Sequence, residues 1–117
     1  MGRGNEEEHS AAGAEIDAVT LKEWFDAKKK FVLVDVREPQ EWDIAHIEGA
    51  KLIPLSQIAA RVSELDTADE IVLQCHHGSR SARAQAALGK FGFKKTYNLA
   101  GGIDSWAVEV EPGMPRY

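Results

Sequence analysis

The sequence predicts a small α/β domain in which helices cover both faces of a central, mostly parallel β-sheet. Short apolar runs such as FVLVDV, at 31–36, recur along the chain, and segments with the apolar spacing of helices lie between them. Strands that alternate with helices are typical of parallel sheets, which are buried on both faces. The length of 117 residues fits a single domain, and neither an internal repeat nor a domain linker is visible.

The first helix is predicted in TLKEWFDAKKK, where Thr20 and Glu23 have the spacing of a capping box. The predicted strands that follow are FVLVDV, KLIPL, EIVLQ and TYNLA. The predicted helices between and after them are a short one in REPQEWDIAHIEGA, one after Ser56 marked by Ile58, Val62 and Leu65, one in SARAQAALGKF, and a closing one in GGIDSWAVEV. The polar, charged segment 1–14 predicts a disordered leader, which leaves 15–117 for the folded domain.

The composition excludes some classes of protein. The formal net charge is −5, which argues against a nucleic acid partner because such proteins usually carry a basic excess. No apolar stretch is long enough to span a membrane, so we expect no membrane association. Nothing in the sequence suggests an exposed apolar helix or strand edge that would drive self-association, and we expect a monomer.

The chain has one cysteine, Cys75. A single cysteine cannot form an internal disulfide, and metal sites built on thiolates usually need several. We therefore expect a free thiol in a reducing compartment and a cytoplasmic protein.

Two polar positions follow predicted strands directly: Arg37 comes after FVLVDV, and Cys75 comes after EIVLQ. Ligands of parallel sheets bind beyond the carboxyl ends of the strands. If these two strands are parallel, Arg37 and Cys75 lie at the same edge of the sheet, where a binding site is expected.

The segment CHHGSR, Cys75–Arg80, is called the Cys75 loop below. It connects a predicted strand to a predicted helix, whose first N–H groups lack internal partners and favour an anion. Gly78 permits a tight turn, and Arg80 adds a positive charge with donors that match oxyanions. A cysteine in this setting should exist largely as the thiolate, which is the reactive form.

A lone cysteine without such a loop is more often a small buried apolar residue. His76 and His77 are candidate metal ligands, but the sequence offers no further converging ligand, so we expect no metal. We expect both histidines at the mouth of the pocket, where ring N–H groups attract an anionic substrate. Arg83, one turn beyond Arg80, is interpreted as a solvated helix residue.

The sequence resembles the rhodanese-like sulfurtransferase domains. Cys75, Gly78, Arg80 and Ser81 match the family's active-site pattern, Cys-x-x-Gly-x-Arg-Ser/Thr. DVREPQEWDIAHIEGA resembles its first signature, with Ala45 where glycine is commoner, and NLAGGIDSW resembles its C-terminal signature. The tail VEVEPGMPRY resembles the ends of rhodanese domains that are fused to adenylyltransferases.

The resemblance implies that Cys75 accepts a sulfane sulfur from thiosulfate or a persulfide and passes it to cyanide, a thiol or a sulfur-carrier protein. It implies catalytic roles for Cys75, the nucleophile, and for Arg80, which stabilises either the loop or the leaving sulfite, and it implies no cofactor. Residues expected to contact the substrate are His76, His77, Gly78, Ser79 and Ser81.

Asp35 and Arg37 are expected to support the site. In one interpretation Asp35 accepts hydrogen bonds from the loop or pairs with an arginine, and Arg37 pairs with an acid such as Glu41. In the other, Arg37 binds the donor.

Two other functions fit parts of the pattern. Cysteine-dependent phosphatases and arsenate reductases of a related fold have one residue more between cysteine and arginine, so their loop forms a larger cradle. Rhodanese-like modules that only bind partners often lack the cysteine, whereas this chain keeps both Cys75 and Arg80.

Overall fold

The computed structural model describes residues 13–117 and confirms the predicted α/β class. The strands are β1 (Ala14–Ile16), β2 (Val32–Asp35), β3 (Lys51–Leu52), β4 (Ile71–Gln74) and β5 (Thr96–Leu99). The α-helices are α1 (Ala18–Asp26), α2 (Pro39–Ile44), α3 (Ser79–Lys90) and α4 (Gly102–Glu109). The strands form one sheet in the order β1-β5-β4-β2-β3, and every neighbouring pair is parallel.

Helices pack on both faces of this sheet, as the apolar runs predicted. Neighbouring residues of a strand point to opposite faces, so Leu33 and Val34 enter two different cores. One core joins the sheet to α1 and α4 through Leu21, Leu33, Val72, Leu99 and Trp106. The other joins it to α3 through Val34, Leu73, Ala84 and Leu88. The central strands are therefore buried on both sides, which fixes the edge that carries their carboxyl ends.

Two details of the predicted elements were wrong. α1 begins at Ala18, and its N-cap is Asp17, whose carboxylate accepts a hydrogen bond from the Thr20 N–H; the expected Thr20 cap lies inside the helix. The helix predicted after Ser56 is instead two short 3-10 turns, Leu55–Gln57 and Val62–Glu64. Ile58, between the two turns, is buried in the core against α3, so packing holds this segment without a continuous helix.

β1 was not anticipated, because three residues carry no recognisable strand pattern. It pairs with the edge of β5 from Ala14 to Ile16, within and just after the predicted leader. The rest of that predicted leader lies outside the described residues. Within 13–117, none of the helices has the length and apolar character that a membrane span requires.

Candidate active site

The Cys75 loop lies at the carboxyl end of β4, between the sheet and the start of α3. Gly78 is the N-cap of α3 and has φ of +119°, a left-handed conformation that glycine adopts without strain. This turn directs two amides at the sulfur: the N–H groups of Gly78 and Ser81 donate to Cys75 Sγ at 3.1 and 3.3 Å. Sγ also lies 3.3 Å from Ser81 Oγ. Cys75 is only 1% exposed, so its hydrogen bonds with these donors are shielded from bulk water.

Ser81 and Asn98 hold the loop in this shape. Ser81 Oγ lies within hydrogen-bond distance of the Gly78 carbonyl and of Asn98 Oδ1, and Asn98 Nδ2 donates to the same carbonyl at 3.0 Å. Both side chains are buried. The sequence analysis included Ser81 but missed Asn98, whose only signal was a polar residue inside the predicted strand TYNLA.

The start of α4 supports the other side of the loop. The N–H groups of Ile103 and Asp104 donate to the carbonyl oxygens of Cys75 and His76 at 2.8 and 3.2 Å. A Cβ atom on Gly102 would lie 2.4 Å from both carbonyl oxygens, closer than any real contact. Glycine at this position therefore lets α4 approach the backbone that carries Cys75.

Arg37 and Asp35 form a fully buried ion pair at the end of β2. Arg37 Nε and Nη2 donate to the two carboxylate oxygens at 2.9 and 2.7 Å, and the Arg37 backbone N–H donates to Asp35 Oδ1. Nη2 also donates to the Ala45 carbonyl. Asp35 therefore pairs with an arginine and Arg37 with a nearby acid, as one interpretation expected, but that acid is Asp35 and not the suggested Glu41. Glu41 contacts Arg37 through its carbonyl oxygen, at 3.3 Å, and not through its carboxylate.

Glu41 pairs instead with Arg80. The guanidinium donates from Nη1 and Nη2 to the two Glu41 oxygens at 2.7 and 2.9 Å, the two-pronged geometry of strong ion pairs. Tyr117 completes the cluster: its hydroxyl donates to Glu41 Oε2 and accepts from Arg37 Nη1, both at 2.9 Å. The Arg80 hydrogen bonds, with smaller contributions from the Glu38 N–H and Tyr117, lower the pKa of Glu41 to about 2.

His76 and His77 lie at the mouth, with different surroundings. The His76 ring stacks on Tyr117 at 3.9 Å between centroids, and burial lowers its pKa below the ordinary value, so its imidazole is neutral near pH 7. His77 is exposed, and its Nε2 lies 3.9 Å from Asp104. A neutral His76 ring still carries one N–H group, so the expectation that ring N–H groups of both histidines attract an anionic substrate stays a prediction.

The structure supplies the third candidate metal ligand that the sequence did not reveal. Among residues 13–117, the ligand atoms of His76, His77 and Asp104 lie within 4.8 Å of one another. Both Asp104 oxygens, however, accept hydrogen bonds from Arg116, at 2.9 and 3.1 Å. A metal ion at this position would therefore compete with Arg116 for the Asp104 carboxylate.

Two further loop and helix residues considered in the sequence analysis are exposed. Ser79 opens α3 with an exposed side chain, and Arg83 is exposed one turn farther along the helix. Of the residues expected to contact the substrate, Gly78 and Ser81 are those that contact Sγ directly.

The described geometry agrees with the comparisons to known proteins. The model of the rhodanese-like domain matches residues 17–109. The chain belongs to the rhodanese-like domain family. It is 44% identical over 110 residues to the probable adenylyltransferase/sulfurtransferase MoeZ of Mycobacterium tuberculosis, covering 92% of this chain but only 28% of that protein. A sulfurtransferase of Allochromatium vinosum is 36% identical over 93 residues, which cover 80% of this chain and 87% of its own.

The solved structure of a rhodanese-like domain protein from Staphylococcus aureus has the same fold. Its TM-score is 0.77 at 27% identity, and the match covers 89% of this chain and 98% of that one. The names of these relatives support a role in sulfur transfer for this rhodanese-like domain. They do not identify the donor or the acceptor.

Proposed function

We propose that this rhodanese-like domain transfers sulfane sulfur through a persulfide on Cys75. The observation that carries the proposal is the convergence of two backbone amides and a hydroxyl on Sγ at the N-terminal end of α3. Such a cradle stabilises the negative charge of a thiolate, which is the nucleophilic form of cysteine. The helix end adds a fractional positive charge in the same place.

In the first step the Cys75 thiolate attacks the outer sulfur of the donor. A bond forms between Sγ and that sulfur, and the bond from that sulfur to the rest of the donor breaks. The leaving group departs with the electron pair: it is sulfite when thiosulfate is the donor and a thiolate when a persulfide is the donor. No external oxidant or reductant is needed.

In the second step an acceptor attacks the terminal sulfur of the Cys75 persulfide. Cyanide leaves as thiocyanate, whereas the thiol of a small molecule or of a sulfur-carrier protein leaves as its own persulfide, and the Cys75 thiolate is regenerated. Two separate half-reactions on one nucleophile predict ping-pong kinetics. In this proposal Asp35 and Arg37 support the site indirectly, since Arg37 bonds to Tyr117, which in turn bonds to the Arg80 partner Glu41. A reducing compartment such as the cytoplasm suits a free thiol.

The geometry favours sulfur transfer over phosphate chemistry. The two amides point at the cysteine sulfur itself, and the guanidinium of Arg80 is bonded to Glu41. A phosphatase needs donors and a guanidinium spread around a tetrahedral anion above the sulfur. The short loop, with four residues between Cys75 and Arg80, leaves a smaller cradle.

The test is intact-protein mass spectrometry after incubation with thiosulfate or with cysteine persulfide, with Cys75→Ser as the matched variant. We expect the parent to gain the mass of one sulfur atom and to lose it when cyanide is added, while Cys75→Ser gains nothing. An adduct of equal yield on Cys75→Ser, or no adduct on the parent with either donor, would overturn the proposal.

A further inference from the structure

The mouth of the site is rich in arginine and yet carries no uncompensated guanidinium next to the sulfur. Within the described residues, the two arginines at the mouth each face a carboxylate, Arg80 with Glu41 and Arg116 with Asp104, and the fully buried Arg37 pairs with Asp35. Exposed Arg83 lies a turn beyond Arg80 on α3, away from the helix end that holds Sγ. A dianionic donor therefore meets ion pairs here and no free cation.

Of these three arginines, Arg80 belongs to the Cys75 loop. Its partner Glu41 therefore determines the net charge that the loop presents to a donor. Glu41 Oε1 accepts from Arg80 and from the Glu38 N–H at 3.0 Å, and Oε2 accepts from Arg80 and the Tyr117 hydroxyl. Four hydrogen bonds fix the carboxylate in its charged form. With its pKa at about 2, it stays ionised at every pH at which the protein is expected to work.

From this arrangement, and on the basis of the proposed function, we infer that Glu41 is a specificity-determining residue that disfavours dianionic donors. By neutralising Arg80 it lowers the rate of sulfur loading from thiosulfate relative to a persulfide, whose sulfane sulfur carries no sulfonate. The two backbone amides contact Sγ, so they stabilise the nucleophile equally for either donor. The difference between donors is therefore left to the charges at the mouth. The favoured substrate class is a persulfide, of a small thiol or of a protein.

The experiment measures the rate constant for loading Cys75 in a single turnover. Reduced protein is mixed with thiosulfate or with cysteine persulfide and quenched, and the fraction carrying one extra sulfur is read by intact-protein mass spectrometry. Glu41→Gln removes the negative charge beside Arg80. Since the Coulomb energy scales with the charge of the donor, we expect about tenfold faster loading from thiosulfate and about threefold faster loading from the singly charged persulfide.

Matched variants separate local charge from other effects. Glu64→Gln changes the net charge by the same amount, at a carboxylate that pairs with Arg61 and Lys51 elsewhere in the fold, and we expect it to leave the donor ratio unchanged. Arg80→Gln exposes the Glu41 charge and should shift the ratio in the opposite direction. The double variant Glu41→Gln/Arg80→Gln restores neutrality and should return the ratio to that of the parent.

Salt provides a readout on the parent protein that does not depend on any variant folding. With paired arginines at the mouth and a net charge of −5, thiosulfate loading should stay constant or rise with ionic strength. In Glu41→Gln the gain in rate should shrink as salt screens the freed Arg80. A parent rate that falls with salt would indicate an uncompensated cation and overturn the inference.

The outcomes distinguish this inference from the proposed function. If neither donor loads the parent, sulfur transfer through Cys75 is itself refuted. If both donors load it and Glu41→Gln leaves their ratio unchanged, or Glu64→Gln moves the ratio equally, donor selection by Glu41 is refuted while sulfur transfer stands.

Discussion

Two neighbouring strands, β2 and β4, end at the same edge of the sheet and are followed by arginine-bearing turns of opposite character. After β2, the Arg37–Asp35 pair is completely buried. After β4, the Arg80–Glu41 pair lies at the rim of the site, where the Arg80 side chain is 31% exposed. The turn itself closes around the Cys75 sulfur, which accepts a hydrogen bond from the Gly78 N–H. The buried pair at the end of β2 is a structural brace, whereas the turn after β4 surrounds the Cys75 sulfur, the proposed nucleophile, and places partly exposed charges nearby.

The difference follows from where each arginine finds its partners. Arg37 bonds to Asp35 two residues before it and to the carbonyls of Glu41 and Ala45 just beyond, so one short segment satisfies most of its donors. Among residues 13–117, the partner of Arg80 is Glu41, 39 residues away in sequence. Local pairing suits a rigid support, while pairing between segments lets one residue tune the charge of another at the site.

The largest expected effect comes from breaking the buried brace. Arg37→Ala leaves the Asp35 carboxylate buried without its cation, which should lower the free energy of unfolding by about 3–5 kcal/mol. Urea denaturation measures this loss. The matched control is Arg61→Ala, which removes a partly exposed ion pair with Glu64 and should change the stability far less. Equal losses in the free energy of unfolding for the two variants would contradict a structural role for the buried Arg37–Asp35 pair.

The second prediction concerns the polar support under the sulfur. Ser81→Ala removes the hydroxyl that contacts Sγ, Gly78 and Asn98, so it should cost about 1–2 kcal/mol in the free energy of unfolding. It should also slow persulfide formation on Cys75, because the loop loses a constraint. Ser63→Ala, at an exposed serine, is the control and should alter neither quantity. A Ser81→Ala protein that loads at the parent rate would contradict a role in shaping the cradle.

The third prediction contrasts Arg80 with Arg37 directly. Arg80→Ala should lower the stability by about 1–2 kcal/mol, less than Arg37→Ala, because its ion pair is partly exposed and not fully buried. Its larger effect should appear in sulfur loading from thiosulfate, where the uncovered Glu41 repels the dianion. Thermal melting and single-turnover loading measure the two effects on one sample. If the stability falls as far as in Arg37→Ala, Arg80 is a structural residue like Arg37.

The smallest effect is a pH dependence from the Glu41 carboxyl. Folding lowers its pKa from the ordinary 4.5 to about 2, so its stabilising contribution is complete above the ordinary value and is lost as the pH falls through about 2. Denaturation of the parent and of Glu41→Gln between pH 6 and 2 should therefore show a difference in stability that shrinks toward acid. A difference that stays constant across this range would mean that the carboxylate gains nothing from its partners.

Several features of the site were predictable because their causes are local in the sequence. Cys75, Gly78 and Ser81 are six residues apart at most, and a strand followed by a glycine turn and a helix leaves little choice in how the amides point. The alternation of apolar runs predicted the parallel sheet, because a strand buried on both faces needs a continuous apolar sequence. The roles of the loop residues in transfer remain predictions.

The features that sequence reasoning missed depend on distant segments. Asn98 reaches Gly78 from β5, Gly102 brings α4 against the Cys75 carbonyl, and Tyr117 bonds both Glu41 and Arg37. The choice of partner for Glu41 was also misjudged, because the sequence offers two arginines and only the fold shows which guanidinium reaches the carboxylate.

The sequence by itself determined the α/β class, the position of the thiol after a central strand and the glycine turn that cradles it, because each depends on residues close together in the chain. The tertiary structure alone decided the charge of the mouth. An ion pair forms with whichever partner the fold brings within about 3 Å, and that distance between Arg80 and Glu41 is set by the packing of the whole sheet and its helices.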